Sequence, residues 1–100
     1  MLLYNVTIGI DKDVEPQWIT YMKERHIPAV LATGLFVSHK FYKIMHENED
    51  GTTSYSIQYF AHTLEDVMRY LEEFAPALIQ QHFQEFKDRH VAFRTLLEEV

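Results

Sequence analysis

Apolar residues recur at every second position in four stretches of the chain and at every third or fourth position in two others. Residues 2–10 alternate, with Tyr4, Val6, Ile8 and Ile10 opposed to Leu3, Asn5, Thr7 and Gly9, which predicts a strand with one apolar and one mixed face. Residues 53–61 show the clearest period of two: Tyr55, Ile57, Tyr59 and Ala61 against Ser54, Ser56, Gln58 and Phe60. Residues 36–47 also read as a strand. Phe36, Ser38, Lys40, Tyr42, Ile44 and His46 form one set and Val37, His39, Phe41, Lys43 and Met45 the other. Neither set is clean, which suits an edge strand or a bulge. The NEDGT segment, residues 48–52, carries the Asp-Gly pair of a hairpin and joins these two strands. Residues 91–97 predict a last strand, with Val91, Phe93, Thr95 and Leu97 opposed to Ala92, Arg94 and Leu96.

Helical spacing fills the two gaps. Trp18, Met22 and Arg25 or His26 share a face, so residues 14–25 predict a first helix, with Asp13 as N-cap, Glu15 at its positive end and Pro16 in its first turn. Pro28 lacks an N–H and clashes with the carbonyl four residues back, and it pushes Ile27 away from helical geometry. The helix is therefore expected to kink near His26, or to stop and restart as a short turn over residues 29–32, before Gly34 ends it. Thr63 is a good N-cap for a second helix, with Asp66 in the reciprocal position. Leu64, Val67, Met68, Leu71, Phe74, Leu78 and Phe86 give its buried face. Uninterrupted, that helix would be about 36 Å long, too long for a small domain. Pro76 predicts a kink or second start over residues 73–75.

The order β-α-β-β-α-β predicts a ferredoxin-like α+β fold: a four-stranded antiparallel sheet with two helices on one face, as a single domain over residues 1–100. The helices are expected to cover Tyr4, Val6, Ile8, Tyr55, Ile57, Tyr59, Val91 and Phe93. The other face is then expected to carry Asn5, Thr7, Ser54, Ser56, Gln58, Phe60, Ala92, Arg94 and Leu96. A mixed face of this kind, with Leu3, Phe60 and Leu96 on it, suits pairing with a second copy into an eight-stranded barrel-like homodimer.

Composition narrows the function. With 47% hydrophobic and 14% aromatic residues the chain is not disordered, and with no cysteine it has neither disulfides nor thiol chemistry. A net charge of −6 argues against nucleic acid and anionic membrane surfaces as partners. The opening apolar run is too short to span a bilayer, and a soluble cytoplasmic protein is expected. Tyr55, Tyr59 and Phe60 lack the basic and glycine positions of an RNA-recognition sheet.

Among six histidines no pair has metal-ligand spacing, so no metal site is expected. His26, beside the proline break, is the candidate general acid–base residue. His82 and His90 are weaker candidates and more ordinarily structural, and His39, His46 and His62 carry no assigned role. Arg94 is read as an interface salt-bridge partner or as an anchor for an anionic ligand, the former being the more ordinary use of arginine. Asn5 and Gln58 join Arg94 as candidate ligand-binding residues. Glycine-rich phosphate loops, nucleophile elbows and paired catalytic carboxylates are absent.

The run Glu24-Arg25-His26-Ile27-Pro28, followed by Gly34-Leu35-Phe36 and a strand, resembles the dimeric α+β barrel superfamily. That group includes antibiotic-biosynthesis-type monooxygenases, muconolactone-isomerase-like enzymes, stress-responsive barrel proteins and chlorite-dismutase-like haem proteins. Across its whole length the chain is similar to a family of short uncharacterised bacterial proteins, a domain of unknown function. The similarity is carried by LLYNVTIGI, RHIPAVLATGLF, EEFAPAL and HVAFRTLLE. The resemblance implies a pocket between sheet and helices in each subunit, with His26 at a position some members place there. It implies no haem ligand, and no cofactor is expected. The reading that follows is a homodimer binding a small molecule near His26, acting on it, if at all, by cofactor-free oxygenation or isomerase-like proton transfer. The alternatives are a ligand-sensing module without catalysis and a protein-interaction module that uses the open sheet face.

Overall fold

The structure, a computed structural model, describes residues 1–46 and 48–100; Glu47, the last residue of the predicted second strand, lies outside the described residues. The chain runs β1 (Leu2–Asp11), a 3-10 turn (Lys12–Val14), α1 (Glu15–Tyr21), a π-helical turn (Met22–His26), α2 (Ile27–Leu31), β2 (Ser38–Lys43), β3 (Thr52–Ala61), α3 (Leu64–Glu73), α4 (Ala75–Glu85) and β4 (His90–Glu98). The strands form one antiparallel sheet in the order β2-β3-β1-β4, with both helical segments packed on one face. This is the ferredoxin-like α+β fold. β2 is an edge strand, as its broken alternation suggests.

The two prolines act differently. At Pro76 the helix divides: α3 ends at Glu73, Phe74 adopts φ −120°, and α4 starts at Ala75. At Pro28 the helical run does not stop. It widens by one residue instead, so that the Ile27 N–H bonds the Met22 carbonyl five residues back and α2 continues to Leu31. The wide turn relieves the clash between the proline ring and the preceding carbonyls while the helical run continues. Gly34, at φ 78°, then turns the chain with its N–H on the Leu31 carbonyl. Asp13 caps nothing; it lies in the 3-10 turn and pairs with Arg89 at 3.4 Å. Thr63 caps α3 as expected, accepting the Asp66 N–H at 3.1 Å.

Strand register decides which side chains face the helices. β1 pairs Val6 with Ile57 of β3 and with Arg94 of β4. Directly opposed residues share a face, so Ala92, Arg94 and Leu96 lie on the helix side with Tyr4, Val6 and Ile8. Val91, Phe93, Thr95 and Leu97 lie on the open side with Leu3, Asn5 and Thr7. This reverses the expected facing of the whole last strand. Apolar content misled here, because the open face is itself partly apolar.

The core packs Tyr4, Ile8, Tyr55, Ile57 and Tyr59 of the sheet against Trp18, Met22, Val30, Val67 and Tyr70 of the helices. Ile57 is fully buried near the centre of the sheet. Ile57→Ala should lower unfolding stability by about 3 kcal/mol, read as a reduced urea midpoint at unchanged slope.

Candidate functional site: histidines and an arginine between sheet and helices

The reversed register carries Arg94 to the side of the sheet where His26 sits. A cavity of about 20 Å³ lies there, lined by Tyr4 of β1, Tyr70 of α3, His82 of α4, Arg94 of β4 and His26 of the π-helical turn, with Met22, Ile57 and Ile79 among its walls. It has room for about one water. His26 also lines a larger open cleft of about 460 Å³ between the first helical segment and α4, with Tyr21, Arg25, Gln81, Gln84 and Glu85. Arg25 and Glu85 reach across this cleft to within 3.8 Å. His26 is thus the side chain common to the cleft and the cavity.

Three imidazoles stand in a row from His26. The ring centroids of His26 and His82 are 5.6 Å apart, and those of His82 and His90 4.7 Å. His82 is 6% exposed, and its Nε2 accepts the Trp18 indole N–H at 2.9 Å. That bond places the His82 proton on Nδ1. His90 donates from Nδ1 to the Phe86 carbonyl at 2.7 Å. Among the described residues no group of three or more His, Cys, Asp or Glu is arranged to hold a metal.

Burial sets the protonation states. It pushes the His26 imidazole down to about 4, and the Arg94 charge adds to the effect. It pushes His82 down to about 3, aided by His90, His26 and Arg94. The Tyr4 and Tyr70 hydroxyls are held above the usual tyrosine range by burial, against the pull of Arg94. At neutral pH the cavity therefore holds two neutral imidazoles, three protonated phenols (Tyr4, Tyr59 and Tyr70) and one guanidinium. A neutral His26 can donate or accept a hydrogen bond, but as a general base at pH 7 it is weak, because efficient bases titrate near the working pH.

The structure separates the four sequence candidates into two pairs. His26 and Arg94 come together on the helix side. Asn5 and Gln58 lie opposite, on the open face, in a polar strip: Ser56 donates to Asn5 Oδ1 at 2.6 Å, Asn5 donates to Thr7 at 3.0 Å, and Gln58 donates to Ser56 at 3.4 Å. His39, His46 and His62 are exposed and line neither the cavity nor the cleft. Tyr4, Tyr70 and Trp18 were missed as site residues. Tyr4 and Trp18 were legible only as core positions, and Tyr70 stood outside the predicted buried stripe.

The chain belongs to the DUF4286 family, a domain of unknown function whose profile matches residues 1–100. No curated protein matches it. Several solved structures share the fold. An "ethyl tert-butyl ether d (ethd) family protein" from Bacillus halodurans aligns with a TM-score of 0.71 at 11% identity, over 100% of both chains. HapK from Hahella chejuensis aligns at 0.73 and 9% identity, over 100% of this chain and 93% of that one. SnoaB from Streptomyces nogalater, described as a cofactor-independent oxygenase, aligns at 0.69 and 13% identity, over 99% and 93%. At these identities the likeness is one of fold.

The lowered histidines have a consequence for stability. Both are neutral in the folded chain, whereas in the unfolded chain they take up protons below the ordinary value of 6.5. Their neutral burial is therefore fully compatible with folding above pH 6.5, and stability falls as pH drops from there towards about 4 and about 3. His26 contributes on the order of 3 kcal/mol to that fall and His82 on the order of 5. His82→Gln, which keeps an acceptor for Trp18, should flatten the decline in unfolding free energy between pH 6.5 and 4, measured by urea titration at each pH.

Proposed function

We propose that the chain forms a homodimeric α+β barrel and that each subunit binds a small molecule between its sheet and helices, at His26 and Arg94. The observation that carries the ligand reading is the position of His26, a wall of both the solvent-open cleft and the cavity beneath it. A ligand in the cleft meets His26 first, and displacement of that ring gives access to Arg94 and the tyrosines. The π-helical turn that bears His26 supports such displacement, since wide turns recur where helices serve a site.

The open sheet face supports a second copy as its cover. Val91, Phe93 and Leu97 are 61%, 65% and 46% exposed on it. Leu3, Phe60 and Leu97 line a shallow hollow of about 470 Å³ at one end of that face. The polar strip between these apolar ends is already hydrogen-bonded within the sheet, so covering it strands few donors. A symmetric face with an apolar margin at each end matches itself after a two-fold rotation.

SnoaB shares the fold and is a cofactor-independent oxygenase. For this chain, cofactor-free oxygenation or proton transfer requires a ligand that raises His26 from its resting value of about 4, which puts binding ahead of catalysis in this reading.

Sedimentation equilibrium should give twice the chain mass for wild type and the single-chain mass for Phe93→Asp. A wild-type monomer at high concentration removes the barrel. In a thermal-shift screen of small molecules, a hit that is lost in His26→Ala and kept in the open-face variant Gln58→Ala places the site on the helix side. The opposite pattern places it on the sheet face.

A further inference from the structure

We propose that the cavity recognises the anionic head group of a small molecule, a carboxylate or an enolate, with Arg94 as its counter-charge and the Tyr4 hydroxyl as a hydrogen-bond donor. The proposal rests on the small-molecule reading above and narrows it to a chemical class.

Charge pairing singles out Arg94. The chain has fifteen acidic residues against nine basic ones, so carboxylates are plentiful. Arg25 pairs with Glu85, Arg69 with Glu73, and Arg89 with Asp11 and Asp13. Among the described residues, Arg94 is the arginine with no carboxylate within 4.0 Å. It is also the one arginine that lines the cavity beside Tyr4, Tyr70, His26 and His82.

The neighbours leave that charge unbalanced. Its effect is felt at all four of them: it offsets part of the burial-driven rise of the two tyrosine hydroxyls and adds to the burial-driven fall of the two imidazoles. The phenols of Tyr4, Tyr59 and Tyr70 are protonated and can donate, and the two imidazoles are neutral. The net charge of the lining is therefore positive, and the wall is mostly apolar, which strengthens attraction for an anion over its value in water. A guanidinium presents paired N–H groups that match a planar two-oxygen anion. The space of about 20 Å³ holds about one water as it stands, so the head group enters as the His26 ring is displaced, and only a small one fits. The body of the ligand then lies outside, towards the solvent-exposed side of Arg94 or through His26 into the cleft.

Benzoate and benzamide are the probes, equal in shape and different in charge. Binding is followed at pH 7 by NMR, on the Arg94 side-chain N–H and the His26 ring C–H, with sodium chloride at matched ionic strength as the reference. Saturable shifts of both signals with benzoate are expected, with benzamide weaker by about tenfold or more. Arg94→Gln should remove the benzoate response and Arg94→Lys should retain part of it. Equal responses to benzoate and benzamide overturn the anion proposal and leave the small-molecule reading intact. Unchanged benzoate binding in Arg94→Gln, or shifts reproduced by chloride alone, also overturn it. A response to neither probe overturns it as well, and the ligand screen above then judges the broader reading separately.

Discussion

An indole N–H and an imidazole nitrogen, both sealed from water, must satisfy each other or leave the interior with unpaired polar groups. The Trp18–His82 bond at 2.9 Å does this across 64 residues of chain. It ties α1 to α4 over the sheet, where the Trp18 ring packs against Tyr55 at 4.9 Å and edge-on to Phe41 at 5.7 Å. An orphaned buried donor or acceptor costs about 1–3 kcal/mol, so sliding one helix past the other is opposed by both halves of the pair. The bond also assigns the His82 proton, and through the row of rings it sets the spacing of His26 and His90. The site is consequently a product of helix packing and not of a loop.

Much of the fold was legible because period and punctuation agreed. Alternation in residues 53–61 is undisturbed, and β3 forms there with every odd side chain facing the helices. Thr63, Asp-Gly at residues 50–51 and Pro76 each do locally what their chemistry prescribes. Pro28 does interrupt the α-helical pattern, as its missing N–H predicts, and the interruption takes the form of a π-helical turn within a continuing helical run. Inserting one residue into a turn absorbs the missing N–H while the Met22, Ile27 and Val30 side chains stay buried. The sequence around Pro28 shows the conflict but not its resolution, which depends on those tertiary contacts.

The candidate cavity was half legible. His26 stands out in the sequence through its neighbouring proline, a local signal. Arg94 was found as a residue and misplaced as a position, since parity in β4 cannot be read from apolar content when both faces of a strand carry apolar side chains. Val91 and Phe93 outweigh Ala92 and Leu96 in size, so the usual rule sends the larger pair inward. The pairing Val6 to Arg94 sends them outward. A register is set by the whole length of a neighbouring strand and by the turn that feeds it. Here that turn contains Asp88 at φ 62° and the Arg89 carbonyl bonded to the Asp11 N–H at 3.0 Å. None of that is visible as a pattern of two.

The same inversion explains why the two faces of the sheet differ in character. On the helix side, β4 contributes one cation to a lining of neutral rings, and the low values of His26 and His82 keep it the sole charge. Were either imidazole protonated at neutral pH, two like charges would share a low-dielectric space with Arg94 and the helices would be driven apart. Lowered histidines and an arginine with no carboxylate partner among the described residues go together: burial keeps the rings neutral, and their neutrality lets the guanidinium remain at the rim. On the open side, β4 contributes Phe93 and Leu97 to a face whose polar atoms already bond one another. One face is short of a negative charge and the other of apolar cover, and a single strand register creates both deficits.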